Sequence, residues 1–462
     1  MTQDGTFAAL ERAWHHARIY LESLERRPVG ATGSRSALRE SLGRPLSDGR
    51  TEAAQVIDEL VADATRGILG SAGGRFFGWV IGGSVPAAIA ADWLTSVWDQ
   101  NAALYACSPA AAVVEEIAGA WLKDILGLPA RASFAFVTGC QMAHVTCLAA
   151  ARHALLQKDG RVVEDEGLSG APAIRILASE HGHGSVARAA TLLGLGRNNI
   201  VRLATDPLGR IEPVALAAQL QDSRPTIVVL QAGDIATGAF DDFATLIPLA
   251  KARGAWVHID GAFGLWAAAS PARRHLTHGV AAADSWATDG HKWLNVPFDS
   301  GYAFVADPAA HSAALSHRAA YLTHDADARD QIDWNPDWSR RARGFATYAA
   351  LRELGRSGIA ELVDRCCAQT SALIDGLRNL RGVEIVSEPI INQALVRFCG
   401  AGGTDDDTRT DAAIAAVNAG GEAFFSGSTW HGRRVMRISV CNWRTSDTDI
   451  ERAIVAITKA SA

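Results

Sequence analysis

The stretch Asp289-Gly290-His291-Lys292-Trp293-Leu294-Asn295 is the most informative part of this chain. Lys292 is one of only five lysines, whereas arginine supplies most of the 44 basic side chains. A lysine in a desolvated pocket can lose its proton and become an amine nucleophile, whereas arginine stays charged. An amine can form an imine with an aldehyde, and pyridoxal phosphate is the commonest aldehyde cofactor. A surface lysine beside an aromatic side chain is the alternative interpretation.

Length and composition predict a large globular protein that acts on small molecules. The chain has 462 residues, 48% of them hydrophobic and 20% charged, which allows a large core and two or three domains. Its net charge of −6 offers no basic surface for nucleic acid. The first residues lack the features of a signal peptide, and no apolar run is long enough to span a membrane. We therefore expect a cytoplasmic protein that binds neither nucleic acid nor membrane.

The seven cysteines are interpreted as small, buried, reduced thiols. They are odd in number and form no C-x-x-C pair, which argues against a disulfide framework or a zinc site. We therefore expect no bound metal.

The apolar pattern divides the chain into three parts. Residues 1–72 are predicted to be helical, with apolar residues at helical spacing from Val56 to Ile68 and a polar link around Gly30 to Arg50. Residues 73–320 are predicted to form a large α/β domain, because short apolar runs alternate with helix-length segments. This alternation predicts a mostly parallel seven-stranded sheet with helices on both faces. Residues 321–462 are predicted to form a smaller α+β domain.

Individual elements follow from the same pattern. The strands of the large domain are predicted at Ser133–Thr138, Ile174–Ser179, Ile200–Leu203, Thr226–Ala232, Ala255–Asp260, Asp284–Thr288 and Gly301–Ala306. Its helices include Met142–Leu156, Val186–Leu193, Pro213–Gln221 and Phe243–Arg253. In the small domain we predict an interrupted helix near Phe345–Leu377 and strands at Val383–Ser387, Gln393–Phe398, Glu422–Trp430 and Arg434–Cys441.

Candidate site residues follow the carboxyl ends of successive strands, where open α/β sheets bind ligands. The turn Gly139-Cys140-Gln141 precedes a helix, whose first N–H groups can hold a phosphate. His183, between two glycines, is suited to lie flat over a ligand ring, and Asp260 ends a buried strand and needs a partner such as a protonated ring nitrogen. An ordinary turn, a solvent-facing histidine and a helix N-cap are the respective alternatives. The order of these features, ending in Lys292, is more specific than any one of them.

With these motifs the chain resembles the group II pyridoxal-phosphate-dependent amino acid decarboxylases, over nearly its whole length. The resemblance is carried by Arg75-Phe76-Phe77-Gly78-Trp79, Ser179-x-x-x-His183-x-Ser185, His258-Ile259-Asp260-Gly261-Ala262, His291-Lys292-Trp293 and Arg437-x-x-x-Cys441-x-x-Arg444-Thr445. The His-x-Asp-x-Ala and His-Lys-Trp motifs, about thirty residues apart, are the most specific of these. The resemblance implies the aspartate aminotransferase-like fold type I of pyridoxal-phosphate enzymes, and a homodimer with active sites at the subunit interface.

The resemblance also implies roles for the cofactor-binding residues. Lys292 is expected to form the Schiff base with pyridoxal phosphate, His183 to stack over its ring and Asp260 to pair with its ring nitrogen. These three are the expected catalytic residues. The full set expected to bind the cofactor is Gly139, Cys140, Gln141, His183, Asp260, Ala262, His291 and Lys292.

On the substrate side, Arg437 matches the family arginine that holds the substrate carboxylate, which a guanidinium can do with two hydrogen bonds. Trp79 and Ile81 match the region that lines the pocket for the substrate side chain. A surface arginine and core packing are the alternatives. The apolar character of this region favours an aromatic or other apolar L-amino acid, decarboxylated to its amine and carbon dioxide.

The chain departs from these relatives in three places. Leu322–Ser339 contains no tyrosine, although aromatic amino acid decarboxylases use a loop tyrosine to protonate the carbanion that decarboxylation leaves. The proton donor therefore stays open between His183, His324, a water and a residue from a partner subunit. Gly233-Asp234-Ile235 stands where relatives often have Gly-Thr-Thr, and Gly74 where they tend to have proline.

The missing tyrosine keeps a second reaction open, in which decarboxylation is coupled to oxidative deamination and yields an aldehyde. An aminotransferase or a cysteine desulfurase is a weaker alternative, because the His-Lys-Trp motif favours decarboxylases. A non-catalytic protein that binds the cofactor is a further alternative, opposed by the complete set of expected catalytic residues.

Overall fold

The computed structural model describes residues 3–317, 328–400 and 405–461. The chain divides into two compact units. The terminal unit comprises Met1–Ile81, Ala372–Val386 and Val396–Ala462. The central unit comprises Gly82–Ser371 and Ser387–Leu395. The expected domains at 1–72, 73–320 and 321–462 stay a prediction.

Helices make up much of both units. In chain order, those of the described residues are α1 (Gln3–Ser23), α2 (Arg35–Leu42), α3 (Ala53–Ala64), α4 (Pro86–Trp98), α5 (Pro109–Ile125), α6 (Cys140–Gln157), α7 (Val163–Glu166), α8 (Gly184–Leu192), α9 (Pro213–Gln219), α10 (Phe243–Lys251), α11 (Pro308–Leu315), α12 (Gly344–Leu377), α13 (Asp406–Gly420) and α14 (Asp447–Ser461). Short 3-10 helices lie at Thr65–Gly67, Arg197–Asn199, Gly264–Ala269, Arg274–Thr277, Val280–Ala282 and Gln331–Asp333. None of these helices is both long and apolar enough to cross a lipid bilayer.

The central unit is built on a seven-stranded sheet of order β1-β7-β6-β5-β4-β2-β3. Its strands are β1 (Ser133–Val137), β2 (Arg175–Ser179), β3 (Ile200–Leu203), β4 (Thr226–Gln231), β5 (Trp256–Asp260), β6 (Ser285–Asp289) and β7 (Gly301–Val305). Each predicted strand coincides with an observed one to within one residue at each end. All strands except the edge strand β3 are buried along their whole length, which explains their continuous apolar sequences.

The sheet is mostly parallel, as predicted, and β7 is the exception. It pairs antiparallel with both β1 and β6. A parallel pair needs a long crossover, whereas the connection between β6 and β7 is a short loop without a helix. This loop contains most of the stretch around Lys292. Because β7 separates β1 from β6, those two strands run in the same direction and end at the same edge of the sheet.

The terminal unit contains α1–α3, α13, α14 and most of a second sheet of order β10-β11-β9-β8. Its strands are β8 (Val383–Ser387), β9 (Gln393–Phe398), β10 (Ser426–Trp430) and β11 (Arg433–Ser439). The smaller sheet domain that follows the large sheet was predicted correctly. So was the interruption of the long helix, since Gly355 in α12 has φ 57° and ψ −176°.

Two local predictions in this unit were wrong. The polar link around 30–50 contains helix α2, whose N-cap Ser34 accepts a hydrogen bond from the N–H of Ala37 at 3.2 Å. The strand predicted from Glu422 begins at Ser426, because the backbone around Phe424 instead pairs with Arg75 and Phe77. Both errors concern segments whose structure depends on a cap or on a distant partner.

Candidate active site

The carboxyl ends of β1, β2, β5 and β6 open onto one cavity of about 630 Å³ in the central unit. The cavity is lined by every residue expected to bind the cofactor, namely Gly139, Cys140, Gln141, His183, Asp260, Ala262, His291 and Lys292. The shared direction of β1, β5 and β6 brings these residues together, although they are far apart in the sequence.

The turn that carries Lys292 is held by the segment that begins at Gly82. The N–H of Gly83 donates to Oδ1 of Asn295 at 2.7 Å, and the N–H of Val85 donates to the Asn295 carbonyl at 2.9 Å. Asn295 has a φ of 57°, a region that asparagine tolerates better than most residues. Gly82 lies so close to the turn that a Cβ atom there would overlap the carbonyl oxygen of Lys292.

The amine of Lys292 is paired with a carboxylate. Its Nζ lies 3.1 Å from Oδ2 of Asp289, the buried last residue of β6. Burial lowers the pKa of Lys292, but Asp289, with Cys140 and Asp260, more than compensates, so the pKa lies above its ordinary value. The expectation that desolvation leaves this amine uncharged is therefore corrected: Asp289 stabilises the ammonium form.

The same aspartate also binds the predicted phosphate turn. The N–H of Cys140, the first residue of α6, donates to Oδ1 of Asp289 at 2.6 Å. The turn is tightly packed, since a Cβ on Gly139 would lie 3.0 Å from Cε1 of His291 and 3.4 Å from Oδ1 of Asp289. The first N–H groups of a helix have no acceptor within the helix and attract anions. In α6 one of them is already bound to a carboxylate.

Asp260 presents a buried carboxylate to the cavity from the end of β5. Its Oδ1 accepts a hydrogen bond from the N–H of Ala262 at 3.3 Å, and its Oδ2 lies 3.7 Å from Nε2 of His144. Burial raises the pKa of Asp260, but the nearby His144, His183 and Lys292 lower it by a larger amount. The pKa of Asp260 therefore lies below its ordinary value. Asp260 is therefore an ionised acceptor suited to a cationic N–H donor.

His183 caps helix α8 and lines the cavity at the same time. Its Nδ1 accepts a hydrogen bond from the N–H of Ser185 at 3.2 Å and lies 2.7 Å from the Ser185 hydroxyl. The expected ring-stacking role and the capping alternative are thus compatible, because the cap fixes an exposed imidazole at the cavity.

His291 is oriented by the loop that leads to β7. Its Nδ1 accepts the N–H of Ser300 at 3.2 Å, and its ring stacks on Phe298 with 4.3 Å between centroids. Burial lowers the pKa of His291, opposed in part by Asp289. The neutral ring with Nδ1 as acceptor carries its proton on Nε2, which lies 3.6 Å from Oδ1 of Asp289.

The departure at Gly233-Asp234-Ile235 has a structural explanation. Gly233 has a φ of 91°, and a Cβ there would lie 3.0 Å from Cα of Gly264. The Asp234 carboxylate accepts hydrogen bonds from the N–H groups of Ala236 and Thr237 at 2.8 and 2.9 Å. It therefore stabilises the loop that contains it. Gly233 and Ile235 line the cavity.

Sequence reasoning missed three side chains at this site. Asp289 was quoted without a role, although it ends a buried strand as Asp260 does, and His258 was quoted only as part of a motif. His144 was not singled out. It lies one helical turn after Cys140, and this spacing could have placed it on the face of α6 that meets the site.

One cluster of potential metal ligands lies at the cavity, but the protonation state of its cysteine argues against a metal site. Cys140, His144 and Asp260 place three potential ligand atoms within 4.8 Å of one another. Burial raises the pKa of the Cys140 thiol well above its usual range, and Asp289 raises it further. A metal requires the thiolate.

The predicted substrate residues Trp79, Ile81 and Arg437 lie in the terminal unit. The N–H of Trp79 donates to Oγ of Ser426 at 3.2 Å, and Arg437 is buried on β11 opposite Ser426. Gly74, the third departure, packs against the backbone, since a Cβ there would lie 2.8 Å from Cα of Thr445. The roles of Trp79, Ile81 and Arg437 stay predictions. His324, a candidate proton donor, lies outside the described residues.

The residues of the cavity suit an anionic aldehyde with a basic ring. Lys292 offers an amine, Asp260 an ionised acceptor, and the start of α6 with His291 offers donors for an anion. Pyridoxal phosphate combines the three complementary groups, namely an aldehyde, a ring nitrogen that can carry a proton, and a phosphate.

Comparison with known proteins agrees with this chemistry. The family model described as the pyridoxal-dependent decarboxylase conserved domain matches residues 46–399. The L-2,4-diaminobutyrate decarboxylase of Rhizobium meliloti (strain 1021) is 29% identical over 384 residues, which span 81% of this chain and 75% of the relative. The aromatic-L-amino-acid decarboxylase of Bacillus atrophaeus is 24% identical over 450 residues, which span 95% and 92%.

Among solved structures, Oryza sativa TDC with PLP and tryptamine matches with a TM-score of 0.93 and 23% identity. The match covers 100% of this chain and 98% of that one. It confirms the fold predicted from the sequence motifs.

Proposed function

The chain belongs to the pyridoxal-dependent decarboxylase family, which makes it a pyridoxal-phosphate-dependent carboxy-lyase of amino acids, and we propose that Lys292 is the residue that binds the cofactor covalently. The observation that supports this role is the convergence of the Lys292 amine, the Asp260 carboxylate and the start of α6 on one cavity. Borohydride reduction of the loaded enzyme, followed by peptide mapping, should place the label on Lys292. A label on any of the other four lysines would contradict the assignment.

Each of the expected site residues has its own proposed role in binding or catalysis. Bound pyridoxal phosphate supplies an electron sink for the electrons released from the bond to the substrate carboxylate. Asp260 would hold the ring nitrogen protonated, and His183 would cover the ring. His291, Gln141 and the start of α6 would hold the phosphate. By the family resemblance, Arg437 is the proposed partner of the substrate carboxylate.

We propose an aromatic or other apolar L-amino acid as the substrate. Ile235, Phe263 and Phe298 give the cavity apolar walls. The family resemblance also assigns Trp79 and Ile81 to the substrate side-chain pocket. The two relatives described above are named for aromatic and for diamino substrates, so a screen should compare both classes with glutamate. Carbon dioxide release that is fastest with glutamate or diaminobutyrate would contradict the proposal.

The product of the proposed reaction is the amine. Coupled oxidative deamination stays the alternative, because the 322–339 segment contains no tyrosine that could act as the proton donor. Chromatographic product analysis distinguishes the two reactions. Amine and carbon dioxide alone support decarboxylation, whereas aldehyde with ammonia and peroxide supports the alternative.

We propose that the enzyme works as a cytoplasmic homodimer. In the terminal unit, α1 exposes Phe7, Leu10 and Trp14, and α3 exposes Val56 and Leu60, although all five are large apolar side chains. Contiguous apolar helix surfaces of this kind are typical of subunit contacts. Sedimentation combined with activity assays tests this, and a fully active monomer would exclude it.

A further inference from the structure

A buried chain of polar side chains leads away from the carboxylate of Asp260. Nε2 of His144 lies 3.7 Å from Oδ2 of Asp260, and Nδ1 of His144 lies 2.9 Å from Nε2 of His258. Nδ1 of His258 lies 2.9 Å from Oγ of Ser285, which accepts the indole N–H of Trp256 at 2.9 Å. His144, His258 and Ser285 are completely buried. Four side chains thus connect the sheet interior to the cavity.

The secondary structure accounts for this arrangement. Trp256, His258 and Asp260 alternate along β5 and therefore point to one face of the sheet. Ser285 on β6 is the register partner of His258. His144 reaches the same face from α6, which packs on β5 and β6.

The direction of the hydrogen bonds in this series of side chains depends on its two end members, Trp256 and Asp260. An indole N–H can only donate, and an ionised carboxylate can only accept. With both imidazoles neutral and His144 donating towards Asp260, the protons point from Trp256 to Ser285, on to His258, then to His144, and last towards Asp260. The opposite order would turn a lone pair of His144 towards a carboxylate.

This direction requires neutral imidazoles. Burial lowers the pKa of His258 to about 3, with His144 adding to the effect, and burial also lowers the pKa of His144. Each neutral ring then has one donor and one acceptor, as the chain of bonds needs. The other titratable groups that act on His144 are Asp260, Asp289, His183 and Lys292.

At the Asp260 end of this series of side chains, some hydrogen-bonding capacity is unfilled. Among the residues that the structure describes, Nε2 of His144 has no hydrogen-bond partner within bonding distance, although it is completely buried. Oδ1 of Asp260, its other oxygen, accepts the long bond of 3.3 Å from the N–H of Ala262. A neutral donor behind the carboxylate stabilises its charge without cancelling it, so the full negative charge stays available on the cavity side.

We propose that His144 and His258 are positioning residues that hold Asp260 ionised and directed at the cavity, so that it keeps the ring nitrogen of the cofactor protonated. The proposal rests on the proposed function of the cavity. It gives the buried histidines a role in the electronics of the site, beyond packing. Ser285 and Trp256 orient the pair from behind.

The test uses the enzyme loaded with cofactor labelled with nitrogen-15 in the ring, and follows the ring nitrogen by NMR as pH is raised. In the wild type the nitrogen should stay protonated through neutral pH. His144→Leu should lose this proton at lower pH and bind the cofactor about tenfold more weakly, a typical effect of removing an outer partner. His144→Gln, which restores an N–H donor, should recover both properties in part.

A matched control separates this role from packing. His311 is also completely buried, but it bonds Ser133 and the carbonyl of Trp334 away from the cavity. His311→Leu should lose stability and leave the ring-nitrogen profile unchanged. Ser285→Ala, a smaller change, should shift the profile in the same direction as His144→Leu and serves if that variant does not fold.

The outcomes distinguish this proposal from the proposed function. A wild-type ring-nitrogen profile in folded, loaded His144→Leu, or in Ser285→Ala if the former does not fold, would overturn the positioning role. A wild type that does not bind the cofactor, or binds it with an unprotonated ring at neutral pH, would instead overturn the assignment of the cavity.

Discussion

Lys292 and Asp289 form an ion pair, with 3.1 Å between Nζ and Oδ2, inside the cavity that carries the family chemistry. The same carboxylate accepts the N–H of Cys140 at the start of α6. Asp289 therefore joins the amine expected to bind the cofactor to the helix start expected to hold its phosphate.

Asp289→Asn should make cofactor attachment faster at neutral pH. The variant keeps an oxygen for the Cys140 N–H but loses the charge that raises the pKa of Lys292. A larger fraction of the amine is then neutral, so the pH profile of attachment should move to lower pH. Borohydride trapping at several pH values measures this rate, and an unchanged profile would show that the ion pair does not control it.

Lys292→Arg should abolish turnover while preserving the fold. Arginine can still pair with Asp289, but it stays charged and cannot attack an aldehyde. Activity should fall by on the order of a thousandfold or more, with the unfolding midpoint close to that of the wild type. Lys251→Arg, on the surface of α10, is the control and should keep full activity. Retained activity in Lys292→Arg would disprove the nucleophile assignment.

Asp260→Asn should lower the rate of decarboxylation by about a hundredfold or more, as expected when a charge aimed at the reacting system is removed. The substitution keeps the shape of the side chain. Cofactor content, measured after release in alkali, has to be compared with the wild type so that weaker binding is not mistaken for slower chemistry. A fully loaded variant with wild-type turnover would refute the role of this carboxylate.

Gly82→Ala should disturb the site without removing a catalytic side chain. Its Cβ would overlap the carbonyl oxygen of Lys292, so the turn has to shift. We expect a loss of about 1–3 kcal/mol in the free energy of unfolding, typical of overpacking, together with slower cofactor attachment. Gly420→Ala is the control, because a Cβ there meets no atom within 4 Å. Equal behaviour of the two variants would contradict the packing argument.

His311→Asn should change how stability depends on pH. Burial lowers the pKa of His311 to about 3, with Arg329 adding to the effect, whereas an unfolded histidine titrates near 6.5. The folded state thus binds fewer protons below that pH, so the stability conferred by the neutral ring is present above it and lost as pH falls towards 3. The stability difference between wild type and variant should shrink by up to about 1.4 kcal/mol per pH unit in this window. Denaturant unfolding at several pH values tests this, and a constant difference would contradict it.

Local pattern was sufficient for most of the fold and for the prediction that the strand-end residues meet at one cavity. Apolar runs marked every strand of the large sheet, because buried strands need continuous apolar sequence. The positions of Gly139, His183, Asp260 and Lys292 just after such runs placed them at one edge of the sheet.

The electrostatic state of the site came from packing across strands that are distant in sequence. The order β1-β7-β6-β5 puts Asp289 beside Cys140, and the register of β5 with β6 puts His258 beside Ser285. No local periodicity encodes strand order or register. A pKa or a tautomer depends on which groups lie within a few ångströms, so the raised pKa of Lys292 and the chain of bonds behind Asp260 exist only in the folded protein.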